Sequence, residues 1–482
     1  MKTVLLAVQI LYFSSQVSAV DPNLPEIPEN FLVGAGSSAY QVEGAWNVSD
    51  KGEGMWDRWT HNNASYFGSG GNGDIAADSY HKYKEDVQLL KSMKLDVYRF
   101  SISWSRVLPT GSPYRVSRDG IQYYKNLINE LLANGIVPFP TMYHFDDLQS
   151  LMEKTGGWAN ESMVEYFADY ARVLFRELGP KVKHWTTINE LNIYCGYIFY
   201  HNETDPDLAF SARYRCVHNQ LKAHARAYHI YNEEFRSTQG GQVGLVVHST
   251  NYVPVVAGDV ESSKIAFDFD TGWIMHPIFS MEGGYPEVMK QRIAENSRAE
   301  GLSSSRLPEF SPEWTDYIRG SSDYLGINHF VTSVVERVPK RNGRWYDDLG
   351  LRRTQLTTSG TRIYPEGIGA VLRQIRDEYY NPPVYILENG MAEGATFNDT
   401  DRIYHLHFYM KEVMSALNDG CDIRSYAVWS LLDSFEWVAG YTQRFGLIHV
   451  DFNHPNRTRT PKLSSYWMKA VMEGRKLIPI WR

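Results

Sequence analysis

The chain has 482 residues, of which 43% are hydrophobic and 22% charged, with a formal net charge of -8. That composition supplies a large core and excludes wholesale disorder. The acidic balance, with no basic run, argues against a nucleic-acid partner.

In chain order, Met1-Lys2, an apolar run over 4–13 and the small residues Val17-Ser18-Ala19 read as a secretory signal peptide over 1–19. Its core is shorter than the roughly 20 apolar residues of a membrane helix, and no later run reaches that length, so no membrane partner is expected. A single secreted domain over 20–482 is expected. β-like segments follow over 31–38, 97–104, 136–144, 184–190, 243–249, 324–330, 384–388 and 425–432. Apolar residues three and four apart mark intervening helices over 83–93, 121–132, 163–178 and 368–379. Gly-rich 68–73 and Ser-rich 303–305 read as loops within interstrand insertions.

Eight strands alternating with helices predict a single (β/α)8 TIM barrel with extended βα loops, closed so that no sheet edge is left open. A doubly wound sheet would carry a Gly-rich phosphate loop after its first strand, which this chain lacks. Neither cofactor nor metal is expected. His405 and His407 flank Leu406 in a helical stretch, a spacing that keeps them off one face.

Chemistry in such barrels gathers at the carboxyl ends of strands. Glu190 ends the fourth segment in Thr187-Ile188-Asn189-Glu190, and Glu388 ends the seventh in Ile386-Leu387-Glu388-Asn389-Gly390. A lone glutamate there would ordinarily face water. Two in this arrangement suit cleavage of a glycosidic bond, one carboxyl protonating the departing oxygen and the other meeting charge on the anomeric carbon. His144, Asn328 and Trp429 fall at or near the ends of the third, sixth and eighth segments, on the same rim.

Six Asn-x-Ser/Thr acceptors, Asn47, Asn63, Asn160, Asn202, Asn398 and Asn456, are candidate N-glycan sites in a secreted chain. Cys195, Cys216 and Cys421 leave one thiol over if a disulfide forms. Cys195 with Cys216 is the favoured pair because both lie in the stretch following Glu190, although three free buried thiols also fit the count.

Several longer motifs sharpen the reading: Ser38-Ala39-Tyr40-Gln41-Val42-Glu43-Gly44, Tyr98-Arg99-Phe100-Ser101-Ile102-Ser103-Trp104, Trp429-Ser430-Leu431-Leu432-Asp433, Phe435-Glu436-Trp437, and Arg444-Phe445-Gly446-Leu447. With these the chain resembles the family 1 glycoside hydrolases, the β-glucosidase family that includes insect digestive glucosidases and myrosinases. The resemblance implies a retaining hydrolase of terminal β-D-glucosides with Glu190 as acid/base, Glu388 as nucleophile and Arg99 against the nucleophile. It further implies that Gln41, His144, Asn189, Glu436 and Trp437 bind sugar hydroxyls, with Trp429 under the ring and Phe445 near the 6-hydroxyl. Asn328 is a further candidate contact.

The chain also departs from the family wording. Leu191 stands where proline is usual, Leu387 where threonine often is, Phe145 for tryptophan, and Asp147-Leu148 for Leu-Pro. Phe330 replaces a tyrosine whose hydroxyl would donate to the nucleophile, a bond worth about 1.5–3 kcal/mol. The alternatives are a myrosinase-like thioglucosidase and a catalytically weak sugar-binding protein on the same scaffold.

Overall fold

The computed structural model describes residues 24–198, 206–339, 348–356 and 363–481. The expected leader over 1–19 and the Asn202 acceptor lie outside the described residues. Eight parallel strands close into a barrel: β1 (Leu32–Gly36), β2 (Val97–Ser101), β3 (Val137–Tyr143), β4 (His184–Asn189), β5 (Gln242–His248), β6 (Tyr324–Asn328), β7 (Val384–Asn389) and β8 (Ile423–Val428). β8 pairs with β1 through Leu32↔Ser425 to Ala35↔Val428, so the ring has no edge.

Every segment expected as a strand is one, with ends that differ. β8 starts two residues earlier than the hydrophobic pattern suggests and stops at Val428, and β2 stops at Ser101 because Trp104–Val107 turns into a short helix. A three-stranded sheet (Asn251–Pro254, Thr332–Arg337, Leu351–Gln355) and a short antiparallel pair (Ile448–Val450, Arg459–Pro461) were not anticipated. They are built from the βα loops, where no long period announces them.

The helices are amphipathic and bury one face against the strands. In Met163–Leu178 the buried residues Val164, Phe167, Ala168, Ala171, Leu174, Phe175 and Leu178 follow helical spacing. The helix Arg118–Ala133 is started by Ser117, whose hydroxyl accepts from Gly120 N–H at 3.0 Å.

Among the described residues two apolar regions result. The larger fills the shell between strands and helices. The smaller lies inside the barrel, from the amino ends to the middle of the strands, and contains Val97, Phe139, Val246, Tyr324, Tyr385 and Leu387. Its polar atoms are satisfied locally: the Tyr324 hydroxyl donates to the Trp185 carbonyl at 2.8 Å and lies 3.0 Å from the Thr186 hydroxyl.

The favoured disulfide is present, with Cys195 bonded to Cys216 and Cys421 free and buried. Asn47, Asn63, Asn160, Asn398 and Asn456 are all exposed. His405 and His407 lie in Thr400–Asn418 and serve packing: His405 Nε2 is 3.1 Å from Asn389 Oδ1, and His407 Nδ1 is 3.0 Å from the Ile478 carbonyl.

Candidate active site

Strand alternation alone would misplace Glu388 and Asn189. On β7, Tyr385 and Leu387 face the barrel interior, and strict alternation would send Glu388 outward and Asn389 inward. A register shift between Ile386 and Glu388 reverses this. Asn389 instead turns toward the helical shell, accepting from the Tyr426 hydroxyl at 2.6 Å and donating to the His329 carbonyl at 2.6 Å. β4 repeats the device: its pairing with β5 shifts between Thr186 and Asn189, so Thr187 and Ile188 both face the shell and Asn189 turns inward.

Gly390 makes the β7 exit feasible. A Cβ there would sit 1.9 Å from the Trp429 carbonyl oxygen, so any side chain would push the two rims apart. Glu190, Phe145 and Trp437, on three different loops at the mouth, all have left-handed backbone, at φ 43°, 67° and 47°. Each costs about 1–2 kcal/mol and persists because its surroundings hold it.

Both carboxyls are buried, Glu190 with 6% and Glu388 with 4% of its surface exposed. They face the barrel mouth and are linked by a continuous hydrogen-bonded set. Asn328 Nδ2 donates to Glu190 Oε1 at 2.7 Å and to Asn189 Oδ1 at 3.1 Å. The Asn328 amide also favours the charged form of Glu388. Arg99, fully buried, donates through Nη1 to Glu388, through Nη2 to Asn189 Oδ1 at 2.6 Å and through Nε to Thr141 Oγ1 at 3.0 Å. Asn189 Nδ2 lies 3.2 Å from His144 Nε2.

The aromatic wall closes the other side. His144 stacks at 5.9 Å on both Trp429 and Trp437, and the Arg99 guanidinium lies 6.0 Å from the Trp429 ring. Gln41 Nε2 donates to Glu436 Oε2 at 3.0 Å, and Trp429 also hydrogen-bonds Glu436. Phe445 stands further round the rim, edge-on to Phe330 at 6.2 Å, and Phe330 in turn stacks on His248.

Burial and the neighbouring Glu388 charge push Glu190 well above the ordinary glutamate range, against the pull of Asn328 and Arg99. Burial also raises Glu388. Arg99 opposes that rise, as the sequence suggested, without cancelling it. Burial, reinforced by the Glu388 charge, pushes Glu436 up to about 8, so it is predominantly protonated at neutral pH and can donate as well as accept. A site with one acid that holds its proton and another clamped by a guanidinium can combine general-acid and nucleophilic work.

Sequence reasoning missed Thr141, although the alternation Val137, Phe139, Thr141 on β3 predicts that it faces Arg99. It also missed Asn192, Tyr252 and Asp270, which support the Glu190 segment and have no distinguishing pattern. Asp147 is another finding: three groups, the Tyr143 and Tyr194 hydroxyls and Trp158 Nε1, donate to its buried carboxyl, while burial raises it to about 6.

A family model described as Glycosyl hydrolase family 1 matches residues 24–477. Myrosinase 1 of Brevicoryne brassicae is 39% identical over 463 residues, covering 94% of this chain and 99% of that protein. The solved structure of an aphid myrosinase superposes with a TM-score of 0.89 at 38% identity, covering 94% of this chain and 100% of that one. A rice β-glucosidase variant in a covalent complex with Glc superposes at 0.86 with 34% identity, covering 92% and 98%.

Proposed function

The chain belongs to glycosyl hydrolase family 1, and from that premise we propose that it is a retaining β-glucosidase acting on terminal non-reducing β-D-glucosyl residues. The observation that carries this reading is the bonded path Glu190–Asn328–Asn189–Arg99–Glu388 across the barrel mouth. Glu388 attacks the anomeric carbon while Glu190 gives its proton to the departing oxygen, leaving a glucosyl ester on Glu388. Glu190 then takes a proton from water, which attacks the ester and frees glucose with its configuration kept.

The electrostatics support that exchange of roles. While Glu388 is charged, it helps Glu190 keep its proton. Once Glu388 is esterified the charge is gone, so Glu190 becomes more acidic and is available as a base. Gln41, His144, Asn189, Asn328, Glu436 and Trp437 supply donors and acceptors for the sugar hydroxyls, Trp429 an apolar face and Phe445 a wall. A 2-deoxy-2-fluoro-β-glucoside should label Glu388 covalently, read by peptide mass spectrometry. Binding without label or turnover would support a silent sugar-binding protein instead.

A second reading is favoured by the similarity to myrosinase in both sequence and structure: the substrate's glucose is joined through sulfur. An acidic thiol aglycone leaves without a proton, whereas an alkoxide does not. Glu190→Gln should therefore abolish the first step on alkyl O-glucosides and spare it on glucosinolates, read as a burst of released aglycone, while hydrolysis of the glucosyl ester slows for both. A panel of cellobiose, aryl glucosides, cyanogenic glucosides and glucosinolates assigns the natural linkage. Secretion is proposed on the leader over 1–19, the disulfide and five exposed acceptor asparagines. A mass loss on treatment with an N-glycan-removing amidase tests it.

A further inference from the structure

Glu190 is held in left-handed backbone at the start of the one-turn helix Leu191–Ile193. Its own main chain is tied by Glu190 N–H to the Val246 carbonyl at 2.9 Å and by its carbonyl to Ile193 and Tyr194 N–H at 2.9 and 3.0 Å. Those bonds fix the backbone but not the direction in which the next turn leaves the rim. That task falls to Asn192, two residues on. Its Nδ2 donates to the His248 carbonyl at 2.8 Å and to Asp270 Oδ1 at 2.9 Å, and its Oδ1 lies 3.3 Å from His248 N–H. One amide thus joins the Glu190 segment to the end of β5 and to the helical turn Asp268–Gly272.

Asp270 is itself anchored. Its Oδ2 accepts from the Tyr252 hydroxyl at 2.9 Å, and the same hydroxyl accepts from Arg353 Nη1 at 2.9 Å. Asn192 and Asp270 are both buried. With one carboxyl oxygen bonded to Asn192 and the other to Tyr252, Asp270 is built to support its neighbours.

We propose that Asn192 and Asp270 are a positioning pair that holds the Glu190 carboxyl at the leaving-group oxygen. The inference rests on the reading of Glu190 as acid/base and deepens it. The charged and titratable groups around the pair are Glu190, His248, Tyr252 and Arg353, while Glu388 and Arg99 face Glu190 from the other strands. Burial and Glu388 are the main causes of Glu190's raised pKa, and the Asp270 charge adds to them. Replacing that carboxylate with an amide lets Glu190 lose its proton at lower pH.

The test compares phenyl β-glucoside, whose leaving group needs a proton, with dinitrophenyl β-glucoside, whose leaving group does not. Asn192→Ala should lower kcat/KM for the phenyl substrate about tenfold more than for the dinitrophenyl one, since misplacing a general acid forfeits part of an effect of about 10²–10⁴-fold. Asp270→Asn should move the basic limb of the pH profile to lower pH by about half a unit to one unit, the size expected for removing one nearby charge. Tyr252→Phe keeps the Asp270 charge, so it should leave the basic limb in place and separate the charge from the bond that anchors it.

Equal losses on both substrates with an unmoved basic limb, in variants that melt as wild type, would overturn the proposal and leave the pair purely structural. Asp270→Asn, being isosteric, carries the test if Asn192→Ala does not fold. Glu190→Ala is the control. If it shows strong leaving-group dependence and rescue by azide, the acid/base reading stands whatever the pair does; if it shows neither, that reading fails and takes the pair with it.

Discussion

From the amino ends to the middle of the strands the barrel interior is filled by Phe139, Tyr324, Tyr385, Val97 and Val246, whereas toward the carboxyl ends the same interior holds Arg99, Asn189, Glu190, Asn328 and Glu388. The strands are shared, so the two ends differ only in which residues alternation delivers to each layer. β2 shows the change within five residues, from Val97 in the apolar layer to Arg99 in the polar one. Rings at the lower end exclude water and stabilise closure. Buried charges at the upper end cost stability, and are held by mutual hydrogen bonds in the arrangement the chemistry requires.

If the division holds, substitutions at the two ends should affect different measurements. The largest effect is expected from Glu388→Gln, which should lower kcat by about 10⁴-fold or more while far-UV circular dichroism is unchanged. Residual turnover within tenfold of wild type would break the assignment of the upper end. Phe139→Ala should do the reverse, costing about 3–5 kcal/mol of stability in a denaturant titration with kcat per folded molecule nearly unchanged. Reducing Cys195–Cys216, which closes a sequence separation of 21 residues, should cost about 3 kcal/mol. Because that loop begins five residues after Glu190, activity should fall at a lower temperature than the loss of far-UV signal.

Phe330→Tyr sharpens the upper end. His329 N–H donates to the Glu388 carbonyl at 3.0 Å, which brings residue 330 beside the strand that carries Glu388. A restored hydroxyl that donates to Glu388 should raise kcat about tenfold and move the acidic limb to lower pH, since the donor favours the carboxylate. An unchanged rate and profile would show that Phe330 costs the enzyme nothing.

The smallest effect separates the ends by sign. Glu436 is raised from 4.5 to about 8, so the folded state binds its proton more tightly than the unfolded chain does. Its contribution to stability is full below pH 4.5 and is lost as pH rises toward 8. His184, stacked on Phe139 at the lower end, is lowered by burial from 6.5 to about 4. Its contribution is full above pH 6.5 and is lost as pH falls toward 4. Melting temperatures across pH should accordingly show Glu436→Gln flattening the alkaline decline and His184→Gln the acidic one. The same limb flattening in both variants would contradict the opposed signs.

Much of this was legible in the sequence because barrel strands buried on both faces read as short apolar runs, and the intervening helices carry a strong 3.6-residue period. Gln41, Glu436 and Trp437 were legible only through the resemblance of their motifs to those of the family, since no period marks them. The boundaries of β2 and β8 were not, since Ile102, Trp104, Leu431 and Leu432 remain apolar after the strands end. Their burial comes from packing against loops.

By itself the sequence determined eight strands, their order and the two carboxylates at strand ends, because local apolar periodicity encodes which face each element must bury. Only the tertiary structure decided that register shifts on β4 and β7 turn Asn189 and Glu388 inward, and that Asn192 and Asp270 meet behind Glu190. Such contacts join residues 78 apart in the chain. They depend on closing the barrel, which no local pattern can specify.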